Sequence, residues 1–469
     1  MKILPLKYCL LFIAYCLFAS SCKKDSFITS PDALLGTSRD TLKYDTVFTT
    51  VGSITQSFTI RNENSQRLLL TSVKVMGGAA SPYKININGI AAQEATNIDI
   101  AAEDSIHVFV TVNINPNAAN LPFIVKDSIQ ILYNGNIKFV QLEAFGQNAR
   151  FLRGQIISTN TNWNSLLPYV ILDSLRVDEN VSLRLAAGCK VYCHANAPIL
   201  VDGALIANGT KDEPVIFGGD RMDEDYKDLP ASWPGIYFRE TSKGNMLAFT
   251  TVKNAYQAIV AESPSANTLP KVTLHQCIVD NALDAGILCI NSSLDADNSL
   301  ISNCGSNINI ILGGKYNFTN CTVVAYSTFT SHKNPVLSAA NFASLIDGST
   351  AVDVLDAQFT NCIFWGEEGF VDKEVVVSQQ GAGIVPVLFK NCLYRANAEA
   401  ANSTFDDCIQ NAPPQFDSVD VSKGVFDFRV TKNASPAVDA GTGTPFFKDL
   451  DNNNRVVNLI TDIGCYEKP

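Results

Sequence analysis

Phe318-Thr319-Asn320-Cys321-Thr322-Val323, Phe359-Thr360-Asn361-Cys362-Ile363-Phe364 and Phe389-Lys390-Asn391-Cys392-Leu393-Tyr394 are three copies of one short unit. An apolar residue is followed by a variable one, then Asn, Asp or Gln, then Cys. The unit recurs as Leu274–Cys277, Ile301–Cys304 and Phe405–Cys408, with its cysteines 27, 17, 41, 30 and 16 residues apart along the chain. So uneven a spacing suits stacked coils whose turns differ in length, and it argues against propeller blades or a second sandwich. One coil cannot bury its apolar face alone, whereas stacked coils bury a continuous column at the strand spacing of about 4.8 Å. The unit therefore predicts a parallel β-helix with Phe and Cys inside. The Asn would form the tight turn beside the strand and hydrogen-bond to its copy in the next coil.

Composition agrees with an all-β chain. Its 469 residues exceed one ordinary core, and 46% are hydrophobic against 17% charged, as in a globular protein. The formal charge is −11, and loss of Lys2 and Lys7 with a signal segment leaves −13 (−11 minus 2). Without a Lys/Arg cluster, such a chain repels a phosphate backbone, so nucleic acid is not an expected partner.

Residues 1–21 read as a signal peptide: Lys2 and Lys7, an apolar stretch from Tyr8 to Phe18, then Ala19-Ser20-Ser21-Cys22. The apolar stretch is short for a bilayer span. This resembles a lipoprotein signal, and the resemblance implies lipidation of Cys22, with Ala19 standing where such signals usually carry Leu. Lys23-Lys24-Asp25 is similar to signals for the outer face of the outer membrane, so an externally facing outer-membrane lipoprotein is expected, its membrane partner reached through the lipid. Residues 22–39 read as a lipidated tether.

Over residues 40–148 apolar residues alternate, as in Ile106/Val108/Val110/Val112 and Ile129/Ile131/Tyr133, and Asn134-Gly135 marks a two-residue hairpin. About seven such strands predict an immunoglobulin-like β-sandwich. The stretch Asp45–Ser53 resembles sandwich domains of surface lipoproteins, which implies a spacer or docking role. His107 is its one histidine, and no catalytic cluster accompanies it.

Residues 155–469 are assigned to the β-helix with a C-terminal closing segment. Ala187–Tyr192, Val201–Thr210, Ser435–Gly441 and Asp462–Glu467 carry a resemblance to right-handed β-helix proteins of the pectate-lyase-like group, many of which cleave polysaccharides. Cys189 and Cys193 lie about 13 Å apart if in one strand, too far for one metal or a disulfide. The ten cysteines beyond Cys22 are expected as buried free thiols.

Catalytic candidates are thin. There is no Gly-His-Gly, the β-helix holds three histidines (His194, His275 and His332), and no nucleophile–base pair is evident. Asp406-Asp407 are neighbours that in a strand face opposite sides, so only one could enter a groove, and Glu367-Glu368 after Trp365-Gly366 reads as a solvated turn. The acidic insertion at 218–233 offers Asp223, Asp225 and Asp228 as calcium ligands, against the plainer reading of a solvated acidic loop. Asp449-Leu450-Asp451 begins like a calcium loop but lacks the Gly and Glu such loops need (Asn454 and Ile460 stand there). Alternation turns Trp365 outward beside Gly366, where an indole face would stack on a sugar ring. The expectation is a non-catalytic glycan-binding or scaffold protein needing no cofactor, calcium apart. A polysaccharide lyase or glycoside hydrolase acting in a β-helix groove is the alternative.

Overall fold

The computed structural model describes residues 26–49, 52–115, 123–223, 226–431, 434–455 and 460–468. The chain divides into two units, Met1–Asn148 and Ala149–Pro469.

The first unit is a β-sandwich of two five-stranded sheets. One orders Leu35–Thr37, Gln56–Asn62, Ser105–Val112, Tyr83–Ile87 and Ile90–Ala91; the other orders Thr41–Phe48, Asn136–Gln147, Phe123–Tyr133, Leu68–Val75 and Glu94–Ile100. Pairing is antiparallel except for Asn136–Gln147 against Thr41–Phe48. Asn134 and Gly135 take positive φ, closing the expected hairpin from Tyr133 to Asn136. The sandwich starts earlier than periodicity suggested. Residues 26–37, read as tether, are folded: Ala33 and Leu35 are buried, and the Asn134 amide donates to the carbonyls of Ile28 and Ser30. Partners a hundred residues away supply what the local sequence lacks.

The second unit is a parallel β-helix of three faces, each strand pairing with its equivalent one coil on. Face A runs through Lys190–Cys193, Val215–Gly219, Thr250–Lys253, Ile278–Asp280, Leu300–Ser302, Thr322–Ala325, Ile363–Gly366 and Leu393–Tyr394. Face B includes Ile199–Val201, Ile236–Phe238 and Gln257–Glu262; face C includes Asn245–Ala248, Val272–His275 and Leu355–Thr360. The first strand is Arg150–Ile157, five residues ahead of the expected start, with a register shift across Gly154.

The short unit builds the corner from face C to face A. Gln276, Asn298, Asn320, Asn361, Asn391 and Asp407 all sit at positive φ there, a conformation that short polar side chains tolerate. Asn361 Nδ2 donates to Asn320 Oδ1 at 2.9 Å, and Asn320 Nδ2 to Asn298 Oδ1 at 3.4 Å. Ahead of the corner, the rings of Phe318, Phe359, Phe389 and Phe405 stack 5.2, 5.0 and 4.6 Å apart. One copy of the unit belongs elsewhere. Ile301–Cys304 forms the corner from face A to face B, and the cysteine place in that coil is held by Ser299, whose hydroxyl accepts the Cys277 N–H. The true spacing is thus 22 residues where no insertion intervenes.

The last coil, Ser403–Asp406 and Ile409–Gln410, has no face B strand, and its Phe405 and Cys408 are half-exposed. Residues 414–468 then return as a closing segment over the outside of face A. Phe416, Phe428, Val430, Leu450, Ile463 and Tyr466 pack on Leu300, Val324, Ile363, Trp365 and Leu393. Its polar anchor is Arg455, 0% exposed, which donates to Asn298 Oδ1 (2.6 Å), Gly464 O (2.6 Å) and Glu467 Oε2 (3.1 Å). Burial pushes the Glu467 carboxyl up to about 7, with the nearby Asp462 charge adding to the rise.

All ten cysteines among the described residues are free thiols. Burial raises the thiols of Cys277, Cys321, Cys362 and Cys392, whereas the Cys392 thiol and N–H hydrogen-bonded to Cys408 hold its pKa below the ordinary value. A maleimide should therefore label Cys408 in the native protein and leave those four until denaturant is added. Cys362→Ser should lower stability by about 1–3 kcal/mol in urea titrations, because the hydroxyl enters an apolar column. Glu467 binds its proton more tightly folded than unfolded. Its contribution to holding the closing segment is complete below about pH 4.5 and is lost as pH rises through about 7, a loss of up to about 3 kcal/mol. Urea midpoints at pH 5 and pH 8 should differ more for the natural chain than for Glu467→Gln.

Candidate functional site

Where face A turns into face B, a second asparagine corner recurs in consecutive coils. Asn254, Asn281 and Asn303 all take positive φ and are buried. Their amides fix the acidic insertion: Asn254 Nδ2 donates to Lys227 O at 2.6 Å, and Asn281 Nδ2 to Asp228 O at 2.7 Å and to Asn254 Oδ1 at 2.9 Å. Asn281 Oδ1 has no hydrogen-bond partner among the described residues. The residue before each Asn ends a face A strand and points outward, giving the row Lys253, Asp280, Ser302.

Lys253 and Asp280 of that row line the floor of a cleft of about 520 Å³, with Ser302 buried at 2% exposure. Asp228 of the insertion, Ser327, Thr328 and Phe329 of the following loop, and Val421, Lys423 and Phe426 of the closing segment make its walls. The last three belong to the hairpin Ser418–Asp420 and Val425–Asp427, whose turn is held by Asp420 accepting from Lys423 Nζ at 2.8 Å. Within the floor, the Ser302 hydroxyl donates to Asp280 Oδ1 at 2.6 Å. Burial lifts the Asp280 carboxyl above the usual range. The Ser302 hydrogen bond and the Lys253 charge oppose the rise, and the Asp228 charge adds to it. Phe329 is 61% exposed at the rim. The cleft thus offers carboxylate, ammonium, amide and hydroxyl groups at strand spacing beside one free aromatic ring, a set suited to vicinal hydroxyls and an apolar ring face.

The residues expected from sequence fall variously. Cys22 and Asp225 lie outside the described residues. Asp223 is clasped by Arg221 at 2.8 and 3.0 Å, and that guanidinium stacks 3.8 Å above the Tyr226 ring, so its carboxylate is already neutralised. Asp228 faces the cleft, apart from Asp223. Among the described residues no group of three or more His, Cys, Asp and Glu is arranged to hold a metal ion. The Asp449 carboxylate instead accepts the N–H groups of Asn453 and Glu467.

Trp365 requires correction. Alternation did send it out of the coil, into the same outward row as Lys253, Asp280 and Ser302, but it is 4% exposed because the closing segment covers that part of face A. It offers no open indole face. Phe329, on a loop with no sequence signal, is an exposed ring at the cleft. Lys253 and Asp280 did have a signal: Val252-Lys253-Asn254, Val279-Asp280-Asn281 and Ile301-Ser302-Asn303 repeat an apolar–polar–Asn unit.

Two other polar arrangements hold the fold. His332 Nε2 lies 3.0 Å from Glu374 Oε1, which also accepts from Arg395 at 2.7 Å, all beneath Gly366, where a Cβ would strike both His332 and Glu374. Lys271, 0% exposed, donates to the carbonyls of Arg239 and Glu240, each at 2.9 Å, and of Glu262. Outside face B the paired row Leu200, Tyr237, Val260, Leu288, Asn309, Ser338, Val376 carries no acid, lysine, arginine or histidine.

No protein-family model matches the chain, and no curated protein matches it. Among solved structures, a family 123 glycoside hydrolase from Clostridium perfringens is 14% identical over 27% of this chain and 26% of its own, with a TM-score of 0.18. The PapD-like domain 7 of human CEP192 is 7% identical over 27% of this chain and 92% of its own, also with a TM-score of 0.18. The chain spans about a quarter of the length of that hydrolase. Similarities of this size carry no argument about activity.

Proposed function

We propose that this protein is an exported lipoprotein, held by lipid on Cys22 at the outer face of an outer membrane, whose pectate-lyase-like β-helix binds glycans without cleaving them. The observation that carries the reading is the face A cleft, where the exposed Phe329 ring stands beside Asp228, Lys253, Asp280 and the corner amides. Sugar recognition needs that pairing: planar polar groups take up the hydroxyls, and an aromatic ring covers the C–H face. Two features support binding over chemistry. The Asp280 carboxylate is engaged by Ser302 and neighboured by Lys253, and the paired face B row from Leu200 to Val376 carries no carboxylate, lysine, arginine or histidine. The sandwich serves as the spacer between anchor and binding unit.

Cys22→Ala should abolish labelling by a fatty-acid probe and move the protein out of the detergent phase. A variant that stays membrane-bound and labelled contradicts the anchor. With that soluble chain on a glycan array, neutral oligosaccharides should bind, and Phe329→Ala should weaken binding roughly tenfold, about 1.4 kcal/mol. Incubation with neutral and uronate polysaccharides, with and without calcium, should release neither new reducing ends nor unsaturated products. Either product would replace the binder with the lyase or hydrolase.

A further inference from the structure

One end of the sandwich is built by the turns at 63–67, 101–104 and 134–135, and residues 26–34 lie against them. Gln66 Nε2 donates to Ser26 Oγ at 3.0 Å, and the Ile28 N–H to Arg67 O at 2.8 Å. Asn134 Nδ2 donates to the carbonyls of Ile28 and Ser30, Asn136 Nδ2 to Pro31 O at 2.6 Å, and Asn64 Nδ2 to Leu34 O at 2.8 Å. These bonds tie the chain to the fold from Ser26 onward. Ala33 and Leu35 turn into the core, whereas two large apolar side chains of the same stretch face solvent: Phe27 is 41% exposed and Leu34 60%. Ile137, next to the hairpin that holds Ile28 and Ser30, is 56% exposed. The Arg67 guanidinium lies 5.7 Å from the Phe27 ring centre and pairs with Asp99. Asp32, Glu63, Glu103 and Asp104 are exposed at the same end.

We infer that this end of the sandwich rests on the bilayer surface, with Phe27, Leu34 and Ile137 in the headgroup layer. The inference rests on the lipid anchor at Cys22 and adds what the anchor leaves open: how the first unit meets the membrane. Four residue steps separate Cys22 from Ser26 (26 minus 22), a reach of at most about 14 Å. The headgroup layer on each side of a bilayer is about 5–7 Å deep. Ser26 therefore stays close to the surface, and the apolar side chains beside it meet lipid at a high effective concentration, where even weak insertion is populated. The exposed acids keep the contact at headgroup depth and favour zwitterionic over anionic lipid. The sheet's outer face is the less suited surface. Its exposed Phe139 is separated from Phe145 and Ile124 by Gln141 and by the Lys126–Glu143 ion pair at 3.3 Å. Ile124 lies opposite Phe145, nine residues along the strand from Asn136 (145 minus 136), which is about 30 Å from the hairpin.

The test uses the full-length lipidated chain in phosphatidylcholine vesicles, some of whose lipid carries a nitroxide on the headgroup. The natural tryptophans, Trp163, Trp233 and Trp365, are all buried, so an added exposed tryptophan reports its own surroundings once the natural chain's signal is subtracted. Leu34→Trp and Ile137→Trp should each lose most of their added emission, and Ile124→Trp should keep its own. The substituted positions are exposed, and Leu34 and Ile137 are independent probes, so misfolding of one variant leaves the other to decide. Equal quenching at all three positions lays the unit on its side, and no quenching at Leu34→Trp and Ile137→Trp holds it off the membrane. Either result overturns the inference, and the anchor still stands if the chain floats with the vesicles and carries the fatty-acid label. A chain with neither flotation nor label overturns the anchor and the inference together.

Discussion

A residue held at positive φ between two strands governs the second unit of this protein. In a coil of about 22 residues the chain must turn sharply from face C to face A without spending length on a loop, and one left-handed residue does this. Asparagine can adopt the conformation, and its amide then has nowhere to go but to the amide above and below or to whatever lies alongside. The structure uses both outlets. Asn298, Asn320 and Asn361 join to one another, and on the closing segment Asn298 accepts from Arg455 while Asn320 and Asn361 donate to Thr444 Oγ1 and Thr442 O. The turn is therefore also a docking strip, and the register of the coils sets the position of a segment whose contacts lie 81 to 157 residues further along the chain.

The same device at the opposite edge of face A produces the cleft. There the asparagines hold the acidic insertion by its carbonyls, leaving the Asp228 side chain to the solvent side. Parallel stacking brings Lys253, Asp280 and Ser302 into line, although they span 49 residues of sequence (302 minus 253). No residue of the cleft is rare. What distinguishes the place is that buried amides position the wall, one acceptor has no partner among the described residues, and an exposed ring stands at the rim.

Much of the fold was legible because the repeated unit records a local constraint: which residue can turn the corner and which must point inward. The Phe stack and the buried thiols follow from it. Local reading failed wherever the deciding partner was distant. Ile301–Cys304 fits the unit letter for letter yet belongs to the other corner, which only the pairing of Ile278–Asp280 with Leu300–Ser302 reveals. Trp365 was placed on the correct side of its strand, but the segment that covers it comes from residues 414–468. Residues 26–37 looked like a tether because their hydrogen bonds come from Asn64, Arg67 and Asn134. The site was the least legible part, since its walls derive from three separate stretches of chain.

The half-built last coil has a consequence for association. A stack of parallel strands ends in a row of unpaired backbone groups, in effect a growth face on which another chain's strands could nucleate. Here that face is incomplete, with two strands where a full coil has three, and Asp406 and Asp407 stand exposed beside it. An incoming coil would meet like charge and an unmatched third side. The missing strand thus acts as a terminator, letting a fibre-like architecture stop at a defined number of layers.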